Sequence, residues 1–493
     1  MSRLSIAILA IAAGLVLIPA CNKKTVKQHQ ESTQSKASVA VVAEKEFPSY
    51  VYQETPIKTS TPLYWDWSLI NEQNLQFPEH FLWGVGTSAH QVEGNCTNND
   101  WCLWEETGNV EEKTGTACDH WNRYEEDIAL MQSLGINTFR FSVEWSKIEP
   151  EQGKINQAVL DHYEDVCKAL IKAGIKPVIT LHHYTSPKWF ALKGGFENQE
   201  NISHFVKFAA IVFERLQSYV HLWLTFNSPT SYVARCYYKQ MAYPGGKPSM
   251  QRAQEVLKNV LEAHVQTYHA LKTLEGGTSS HIGILHNIYQ VEPGSGWFDG
   301  MGCKAARSLF DENVYNFFTK GEVKISVPFT AKLKYSNKLA PQSLDFIGLN
   351  YYSHGLMQSR DVTTYPGETI TDNPIYTIYP EGLYRAIVDI STHLAKPLNI
   401  PIYVTENGIS TSSEADRELF FKRYLYALSQ AINEGHDVRG YIVWSLMDNY
   451  EWGTYSKKYG LCAIDYATQK RSLKPGAQYY IDVINKFNKE IIA

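Results

Sequence analysis

The chain has little net charge, no basic cluster and only one long hydrophobic run. Its 493 residues include 46 Lys and Arg against 51 Asp and Glu, which gives a formal charge of −5. This balance argues against a nucleic-acid partner. Hydrophobic residues at 44% and charged residues at 20% are typical of a soluble globular protein. The length is sufficient for one large domain or two ordinary ones.

Metal-binding and redox motifs are also scarce. Apart from Cys21, seven cysteines remain and they lack a Cys-x-x-Cys spacing, so we expect no structural zinc. Their odd number leaves at least one unpaired, although Cys96 could pair with Cys102 or Cys118 in an exported chain. Metal binding by the neighbours His182 and His183 is disfavoured, because adjacent residues of a strand point to opposite faces. No metal and no cofactor are predicted.

The one long hydrophobic run lies at the N-terminus. Leu4–Ile18 contains fifteen residues, which is short for a membrane span, and it is preceded by Arg3. The ending Ile18-Pro19-Ala20-Cys21 resembles a bacterial lipobox, although proline is unusual at its position. We therefore predict a lipoprotein signal peptide over 1–20 and a lipid anchor on Cys21. An ordinary secretory signal is the alternative. Both place the protein outside the cytoplasm, and the lipobox places it in the bacterial cell envelope, attached to a membrane.

A polar segment separates this signal from the folded domain. It is rich in Lys, Gln, Ser and Thr and has little apolar periodicity, which predicts a flexible tether over 21–75. The remaining residues, 76–493, form one predicted domain.

Eight short apolar segments alternate with helical patterns in this domain. The predicted strands are Phe81–Thr87, Thr138–Val143, Pro177–His182, Leu222–Phe226, Ile282–His286, Phe346–Leu349, Ile402–Thr405 and Tyr441–Ser445. The predicted helices are Trp121–Leu134, Gln157–Ala173, Ile202–Leu216, Met250–Leu274, Lys304–Thr319, Gly382–Leu394, Glu414–Asn433 and Pro475–Phe487. Eight strand–helix units predict a closed α/β barrel of the (β/α)8 or TIM type. A doubly wound open sheet is the alternative, but its nucleotide-binding version is disfavoured because no Gly-x-Gly-x-x-Gly follows the first strand.

Polar and aromatic residues follow the predicted strands. Glu406 ends a buried β-branched run and precedes Asn407-Gly408, a typical position for a catalytic carboxylate in such a barrel. The structural alternative is a cap or turn residue. The other strand ends supply Gln91, Glu93, Arg140, His182, His183, Tyr184, Asn227, Ser228, Asn350, Tyr351, Tyr352, Trp444, Asp448, Asn449, Glu451 and Trp452. Side chains of these types at one rim predict a polar pocket with aromatic walls, suited to a sugar.

The ordered motifs of the domain carry a family resemblance. They include Phe81-Leu82-Trp83-Gly84, Gln91-Val92-Glu93-Gly94, Phe139-Arg140-Phe141-Ser142, Thr180-Leu181-His182-His183, Thr225-Phe226-Asn227, Asp345-Phe346-Ile347-Gly348-Leu349-Asn350-Tyr351-Tyr352, Val404-Thr405-Glu406-Asn407-Gly408 and Trp444 to Trp452. Over roughly residues 75–490 the chain resembles glycoside hydrolase family 1, the β-glucosidase-like retaining enzymes. The resemblance implies hydrolysis of a β-linked saccharide or glycoside.

The resemblance also implies roles for individual residues. Glu406 corresponds to the nucleophile that forms the covalent glycosyl-enzyme. Tyr352 corresponds to the tyrosine that orients it, and Arg140 to the arginine that keeps it ionised. The implied substrate-binding residues are Gln91, His183, Asn227, Asn350, Trp444, Glu451 and Trp452. Because relatives acting on 6-phosphosugars tend to lack the acid at Glu451, an unphosphorylated sugar is expected.

Residue 228 departs from the family pattern. The family has Asn-Glu-Pro, in which the Glu is the general acid/base, whereas this chain has Asn227-Ser228-Pro229. Retaining hydrolysis uses two carboxyl groups about 5 Å apart, and a serine hydroxyl is not acidic near neutral pH. Three interpretations remain. The chain could cleave glycosides with activated or thio-linked leaving groups, use another acid, or bind sugar without turnover as a carbohydrate-binding surface lipoprotein.

Overall fold

The computed structural model describes residues 62–327, 331–358 and 361–489. The predicted signal peptide, Cys21 and the tether up to residue 61 lie outside the described residues. In the part of the chain that the structure describes, no helix combines the length and apolar character needed to cross a membrane.

Eight parallel strands close into a barrel. They are β1 (Leu82–Gly86), β2 (Thr138–Ser142), β3 (Lys176–His182), β4 (Leu222–Phe226), β5 (His281–Pro293), β6 (Phe346–Gln358), β7 (Ile402–Asn407) and β8 (Val438–Trp444). Each strand pairs with the next along the chain, and β8 pairs with β1 to close the sheet. The predicted (β/α)8 barrel is therefore confirmed, and the open sheet is wrong.

A helix follows each strand and packs outside the barrel. The eight helices are α1 (His120–Ser133), α2 (Gln157–Lys172), α3 (Ile202–Leu216), α4 (Met250–Lys272), α5 (Asn313–Lys320), α6 (Pro380–Ile390), α7 (Glu414–Asn433) and α8 (Gln478–Lys489). Their apolar stripes contact strands that are themselves buried on both faces. This burial explains why the strands read as continuous apolar runs in the sequence.

The connection between β5 and β6 differs from the prediction. The sequence predicts one helix over Lys304–Thr319, but the structure has Trp297–Arg307, a π-helical turn over 308–312 and then α5. β5 and β6 are also longer than predicted, because they remain paired beyond the barrel as far as Pro293 and Met357. Shorter antiparallel hairpins, Glu322–Val327 with Ala331–Ser336 and Cys462–Asp465 with Lys470–Leu473, lie outside the barrel.

Residues 62–75 pack against the barrel helices, although the sequence predicts them as part of the tether. The backbone N–H of Trp65 and the indole N–H of Trp67 both donate to Glu381 at 2.9 and 2.8 Å. Glu72 pairs with Arg423 of α7 at 3.0 Å. These aromatic and charged contacts offset the entropy of ordering the segment, so it belongs structurally to the barrel domain.

All seven cysteines that the structure describes are free thiols, so the suggested pairing of Cys96 with Cys102 or Cys118 is not formed. The Cys102 thiol donates to the backbone carbonyl of Cys96 at 2.6 Å, and the Cys118 thiol donates to the carbonyl of Asp448 at 3.3 Å. Burial raises the pKa of each of these three thiols, which keeps them protonated.

Candidate active site

The C-terminal ends of the barrel strands bring most of the predicted site residues to one pocket. Arg140 lies on β2, Tyr352 on β6, Glu406 on β7 and Trp444 on β8. Asn350 also lies on β6, whereas Gln91, His183, Asn227, Glu451 and Trp452 lie in the segments that follow the strands. Hydrogen bonds and ring contacts described below connect their side chains. Parallel strands in a closed barrel all end at the same rim, which is why residues far apart in sequence meet there.

Glu406 is the centre of this pocket. Its Oε1 accepts a hydrogen bond from Arg140 Nη1 at 2.6 Å, and its Oε2 accepts one from the Tyr352 hydroxyl at 2.8 Å. The register between β7 and β6 shifts between Val404 and Glu406, so the carboxylate lies opposite Asn350. A Cβ at Gly408 would overlap the carbonyl oxygen of Trp444, so only glycine permits this close approach of β7 and β8.

Arg140 is fully buried and organises several neighbours of Glu406. Besides the carboxylate, it donates to the backbone carbonyl of Thr405 at 3.1 Å, to Thr180 Oγ1 at 3.0 Å and to Asn227 Oδ1 at 3.2 Å. A buried guanidinium without a counter-ion would carry a large desolvation penalty. The ion pair with Glu406 therefore explains both the burial of Arg140 and its fixed orientation.

His183 and Asn227 form the polar wall next to Arg140. Asn227 Nδ2 lies 3.0 Å from His183 Nε2, and Arg140 Nη2 lies 3.3 Å from His183 Nδ1. Burial, followed by the charge of Arg140, lowers the pKa of His183 well below its usual range. The imidazole is therefore neutral at physiological pH, the form that exchanges hydrogen bonds with sugar hydroxyls.

Gln91 and Glu451 form a second polar wall. Gln91 Nε2 donates to Asn449 Oδ1 and to the carbonyl of Tyr450, both at 3.0 Å. The Trp444 indole N–H donates to Glu451 Oε1 at 2.9 Å. Burial raises the pKa of Glu451 to about 7, against the opposing effect of the Trp444 hydrogen bond. At neutral pH this carboxyl group is therefore divided between its neutral and charged forms.

Stacked rings complete the pocket. The His183 ring lies 5.4 Å from the Trp444 ring and 6.2 Å from the Trp452 ring, with interplanar angles of 18° and 13°. Tyr184 contacts Trp452 edge-on with 5.5 Å between the ring centroids. Flat apolar faces beside hydrogen-bonding groups match the two kinds of surface that a sugar ring presents.

Ser228 lies two residues after the end of β4 and is fully buried. Its backbone has φ 43°, in the left-handed region, and Pro229 begins a short helix directly after it. The Asn350 amide donates to Ser228 Oγ at 3.3 Å, and Asn350 Oδ1 accepts from Thr405 Oγ1 at 2.8 Å. Asn350 thus connects residue 228 to the strand that carries Glu406.

Four strand-end residues named from the sequence are not in the pocket. The Tyr351 hydroxyl donates to the carbonyl of Tyr379 at 3.2 Å. His182 faces the opposite side of β3 from His183, where it bonds Ser186 and packs against Phe226. Glu93 bonds the Tyr163 hydroxyl and pairs with Lys147. Asp448 pairs with Lys474 at 2.6 Å. Because these side chains are bonded to residues outside the pocket, we assign them a structural role.

Arg235 is a pocket residue that the sequence analysis missed. It follows the short helix Pro229–Val233, and its guanidinium lies over the rings of Trp452, Tyr184 and Trp101 at 5.1, 5.5 and 5.9 Å from their centroids. An arginine within a run of ordinary helix residues gives no signal of its own. Its position only seven residues after Ser228 is the feature that could have drawn attention to it.

Among the described residues, His90, Cys96 and Glu144 place potential metal-ligand atoms within 4.8 Å of one another. Both ring nitrogens of His90 already have partners, Asn99 and Thr114, each at 2.8 Å. Glu144 accepts from Ser146 and Thr185, and the Cys96 thiol is protonated. The existing hydrogen bonds account for this cluster without a metal.

The fold is a (β/α)8 barrel, and its pocket combines a paired carboxylate with polar and aromatic walls, as in glycosidases. The family model for glycosyl hydrolase family 1 matches residues 73–489. The chain therefore belongs to glycosyl hydrolase family 1.

Named relatives agree with this assignment. Beta-glucosidase A of Thermotoga maritima is 32% identical over 445 residues, which cover 83% of this chain and 98% of the relative. The 6-phospho-beta-galactosidase of Clostridium acetobutylicum is 31% identical over 463 residues, which cover 82% and 96%. The solved structure of a beta-glycosidase from Pyrococcus horikoshii superposes with a TM-score of 0.76 at 35% identity and covers 85% of this chain and 98% of its own.

Proposed function

We propose that this protein is a retaining glycosidase for unphosphorylated β-glycosides, with Glu406 as nucleophile, restricted to leaving groups that depart without protonation. The observation that carries the proposal is the pairing of Glu406 with Arg140 and Tyr352 while Ser228 occupies the position of the acid. Attack on the anomeric carbon needs a carboxylate held in a fixed position, and the two hydrogen bonds hold it there. Residue 228 has no acidic group that could protonate the leaving oxygen.

The nearby titratable groups are poor substitutes for the missing acid. Tyr184 interacts with Ser228, but burial raises the pKa of its phenol well above the usual range. Glu451 holds a proton up to about pH 7 because burial raises its pKa. However, it follows β8, which lies across the eight-stranded barrel from β4, and its carboxylate is engaged by Trp444. Neither group supports the interpretation that another acid replaces the family glutamate.

The sugar is proposed to be unphosphorylated because Glu451 belongs to the pocket wall. Above about pH 7, where its carboxyl group is charged, Glu451 would repel the phosphate of a 6-phosphosugar. One relative is a 6-phospho-beta-galactosidase, so phosphorylated glycosides are the competing class of substrate. A pocket that binds β-glycosides without turnover is the second candidate, because Ser228 removes one of the two carboxyl groups that hydrolysis ordinarily uses.

A 2,4-dinitrophenyl 2-deoxy-2-fluoro-β-glucoside tests the nucleophile and separates the two candidates. Dinitrophenolate leaves with the bonding electrons as a Glu406 oxygen forms a bond to the anomeric carbon. We expect intact mass spectrometry to show one fluoroglucosyl group per chain, located by peptide mapping at Glu406. Glu406→Gln is the matched control and should stay unlabelled, since it keeps the side-chain shape but not the charge. Saturable binding of the sugar without any label would establish the binding-only candidate instead.

We further propose that the protein is a lipoprotein of the bacterial cell envelope, anchored through Cys21 on the extracytoplasmic side. The support is the apolar run Leu4–Ile18 followed by Pro19-Ala20-Cys21. We expect Cys21→Ser to move the protein from the membrane to the soluble fraction after cell fractionation. Substitution of the neighbouring Asn22 by Ser is the control and should leave it in the membrane. Equal partitioning of Cys21→Ser and the wild type would refute the anchor.

A further inference from the structure

The antiparallel hairpin between α5 and β6 carries a concentration of positive charge. Residues 320–338 contain five lysines and one acidic residue, in a chain whose formal charge is −5. One face of the hairpin is apolar, and its side chains Val323 and Ile325 are buried in the core. The opposite face is polar and exposed. The lysine patch, as we call it, consists of the exposed residues Lys320, Lys324, Lys332, Lys334 and Lys338.

The register of the hairpin places like charges next to one another. Lys324 lies directly opposite Lys334, and Lys332 shares their face because alternate residues of a strand point to the same side. Like charges directly opposite each other in an antiparallel pair are destabilising. The hydrogen bond and charge of Lys324 lower the pKa of Glu322, and the charges of Lys334 and Lys320 lower it further. The lysines therefore act together on the one acid among them.

The protein itself compensates little of this charge. Within the described ranges, the only ion pair of the patch joins Lys324 to Glu322. Glu262 of α4 lies beside the hairpin, but it accepts hydrogen bonds from the Tyr335 hydroxyl and from Asn337 Nδ2, the latter at 2.8 Å. The other four lysines of the patch thus present their charge to the surroundings.

The hairpin lies at the end of the barrel opposite the pocket. It precedes β6, and Asp345 at the start of that strand accepts a hydrogen bond from the backbone N–H of Ile282, the second residue of β5, at 2.8 Å. Glu406 marks the other end, where the strands terminate. The connection between α2 and β3 adds the exposed Lys172 and Lys176 at the hairpin's end. A flat anionic surface that contacts this end leaves the pocket open.

We propose that the lysine patch docks this end of the barrel on the negatively charged phospholipid headgroups of a membrane. The inference rests on the proposed lipid anchor, because a chain attached at Cys21 is held beside a bilayer. Forty residues separate Cys21 from the first described residue, so the attachment keeps the domain within about 140 Å of the bilayer even at full extension. Each lysine at an anionic surface strengthens partitioning by about 5-fold, and confinement by the anchor favours such weak contacts.

Vesicle binding by the lipid-free chain tests the proposal. Residues 21–493 with Cys21→Ser lack the N-terminal apolar run and retain every residue that the structure describes. We expect this protein to co-sediment at low ionic strength with vesicles of phosphatidylglycerol and phosphatidylcholine, but not with vesicles of phosphatidylcholine alone. Added salt should weaken the binding because it screens the charges. The variant Lys324→Gln/Lys332→Gln/Lys334→Gln should bind the charged vesicles at least about 10-fold more weakly.

A second triple variant controls for the loss of charge. Lys113→Gln/Lys193→Gln/Lys247→Gln removes three exposed lysines from connections at the pocket end and should bind the vesicles as its parent does. Unchanged thermal unfolding will verify that both variants are folded. Equal binding of the patch variant and its parent, or equal binding to charged and neutral vesicles, would overturn the proposal. Retention on dextran sulfate without binding to vesicles would also overturn it and would assign the patch to an anionic polysaccharide.

Two outcomes separate this inference from the lipid anchor. If the lipid-free chain binds as expected but wild type and Cys21→Ser fractionate alike in cells, the anchor fails and the docking surface stands. The lipidated wild type, reconstituted in the two kinds of vesicle, is then compared by acetylation with sulfo-NHS-acetate and mass spectrometry. Docking predicts slower acetylation of Lys324 and Lys334 on charged vesicles, with Lys113 unchanged. If the protein is anchored but these lysines react equally fast on both, the docking surface is refuted and the anchor stands.

Discussion

Replacement of Ser228 by glutamate is expected to raise the rate of hydrolysis of an unactivated alkyl β-glucoside by roughly 10²–10⁴-fold, the usual contribution of a general acid. The site already supplies the other requirements, since Glu406 is fixed by Arg140 and Tyr352. An alkoxide leaves poorly without a proton, and a glutamic acid at residue 228 would provide one. The measurement is kcat/KM for methyl β-glucoside in the wild type and the variant.

The backbone conformation at residue 228 suits this substitution. Residue 228 already has a positive φ of 43° with a side chain attached, so glutamate adds no backbone strain beyond that of serine. The Asn350 amide, 3.3 Å from Ser228 Oγ, is available to orient the new carboxyl group. Because protonation contributes most when the leaving group is strongly basic, the dinitrophenyl glucoside should gain far less than the methyl glucoside. The size of the gain should therefore depend on the leaving group.

Ser228→Gln is the matched control for this prediction. It has nearly the size of glutamate and can bond Asn350, but it has no acidic proton, so it should not accelerate either substrate. The glutamate variant should also acquire a loss of activity at high pH as its acid ionises, which the glutamine variant should lack. Rapid cleavage of methyl β-glucoside by the wild type, unchanged in Ser228→Glu, would contradict the missing-acid argument and indicate that another group protonates the leaving oxygen.

The barrel could be predicted from the sequence because its signals are local. Each parallel strand is buried on both faces and reads as a short apolar run, and each helix carries one apolar stripe. The helices Ile202–Leu216 and Glu414–Asn433 were predicted with the bounds that the structure gives them. The region after β5 was predicted less well, because a π-helical turn at 308–312 interrupts a pattern that otherwise reads as one helix.

The sequence predicted a pocket residue only where a polar or aromatic side chain lies in or just after a predicted strand. Glu406 lies near the end of β7 and Arg140 lies within β2, and the closed sheet brings their side chains to 2.6 Å although 266 positions separate them. The resemblance to a family assigned them to one site. Arg235 carried no such signal, because its contacts depend on how the helical segment after β4 packs toward Trp452. The packing of residues 62–75 was missed for the same reason, since Glu381 and Arg423 are distant in sequence.

Substitution of Arg140 by methionine is expected to have the largest effect on the folded protein. Removing one partner of a buried ion pair costs roughly 3–5 kcal/mol, because the other charge remains desolvated and unpaired. Here the charge left behind is Glu406, with Tyr352 as its remaining side-chain partner. Chemical denaturation should show this loss in the free energy of unfolding. Labelling by the fluoroglucoside should also be lost, since Glu406 no longer has the guanidinium that holds its carboxyl group in position.

Two variants distinguish the loss of the ion pair from general damage to the core. Arg417 is also buried, but its hydrogen bonds go mainly to backbone carbonyls, including those of Ile409 and Thr411. Arg417→Met should therefore destabilise the fold while the folded protein is still labelled at Glu406. In the double variant Arg140→Met/Glu406→Gln the unpaired charge is absent, so part of the lost stability should return without labelling. If the double variant were as unstable as Arg140→Met alone, the hydrogen bonds of Arg140 to Thr180, Thr405 and Asn227, rather than its charge, would account for the stability of this site.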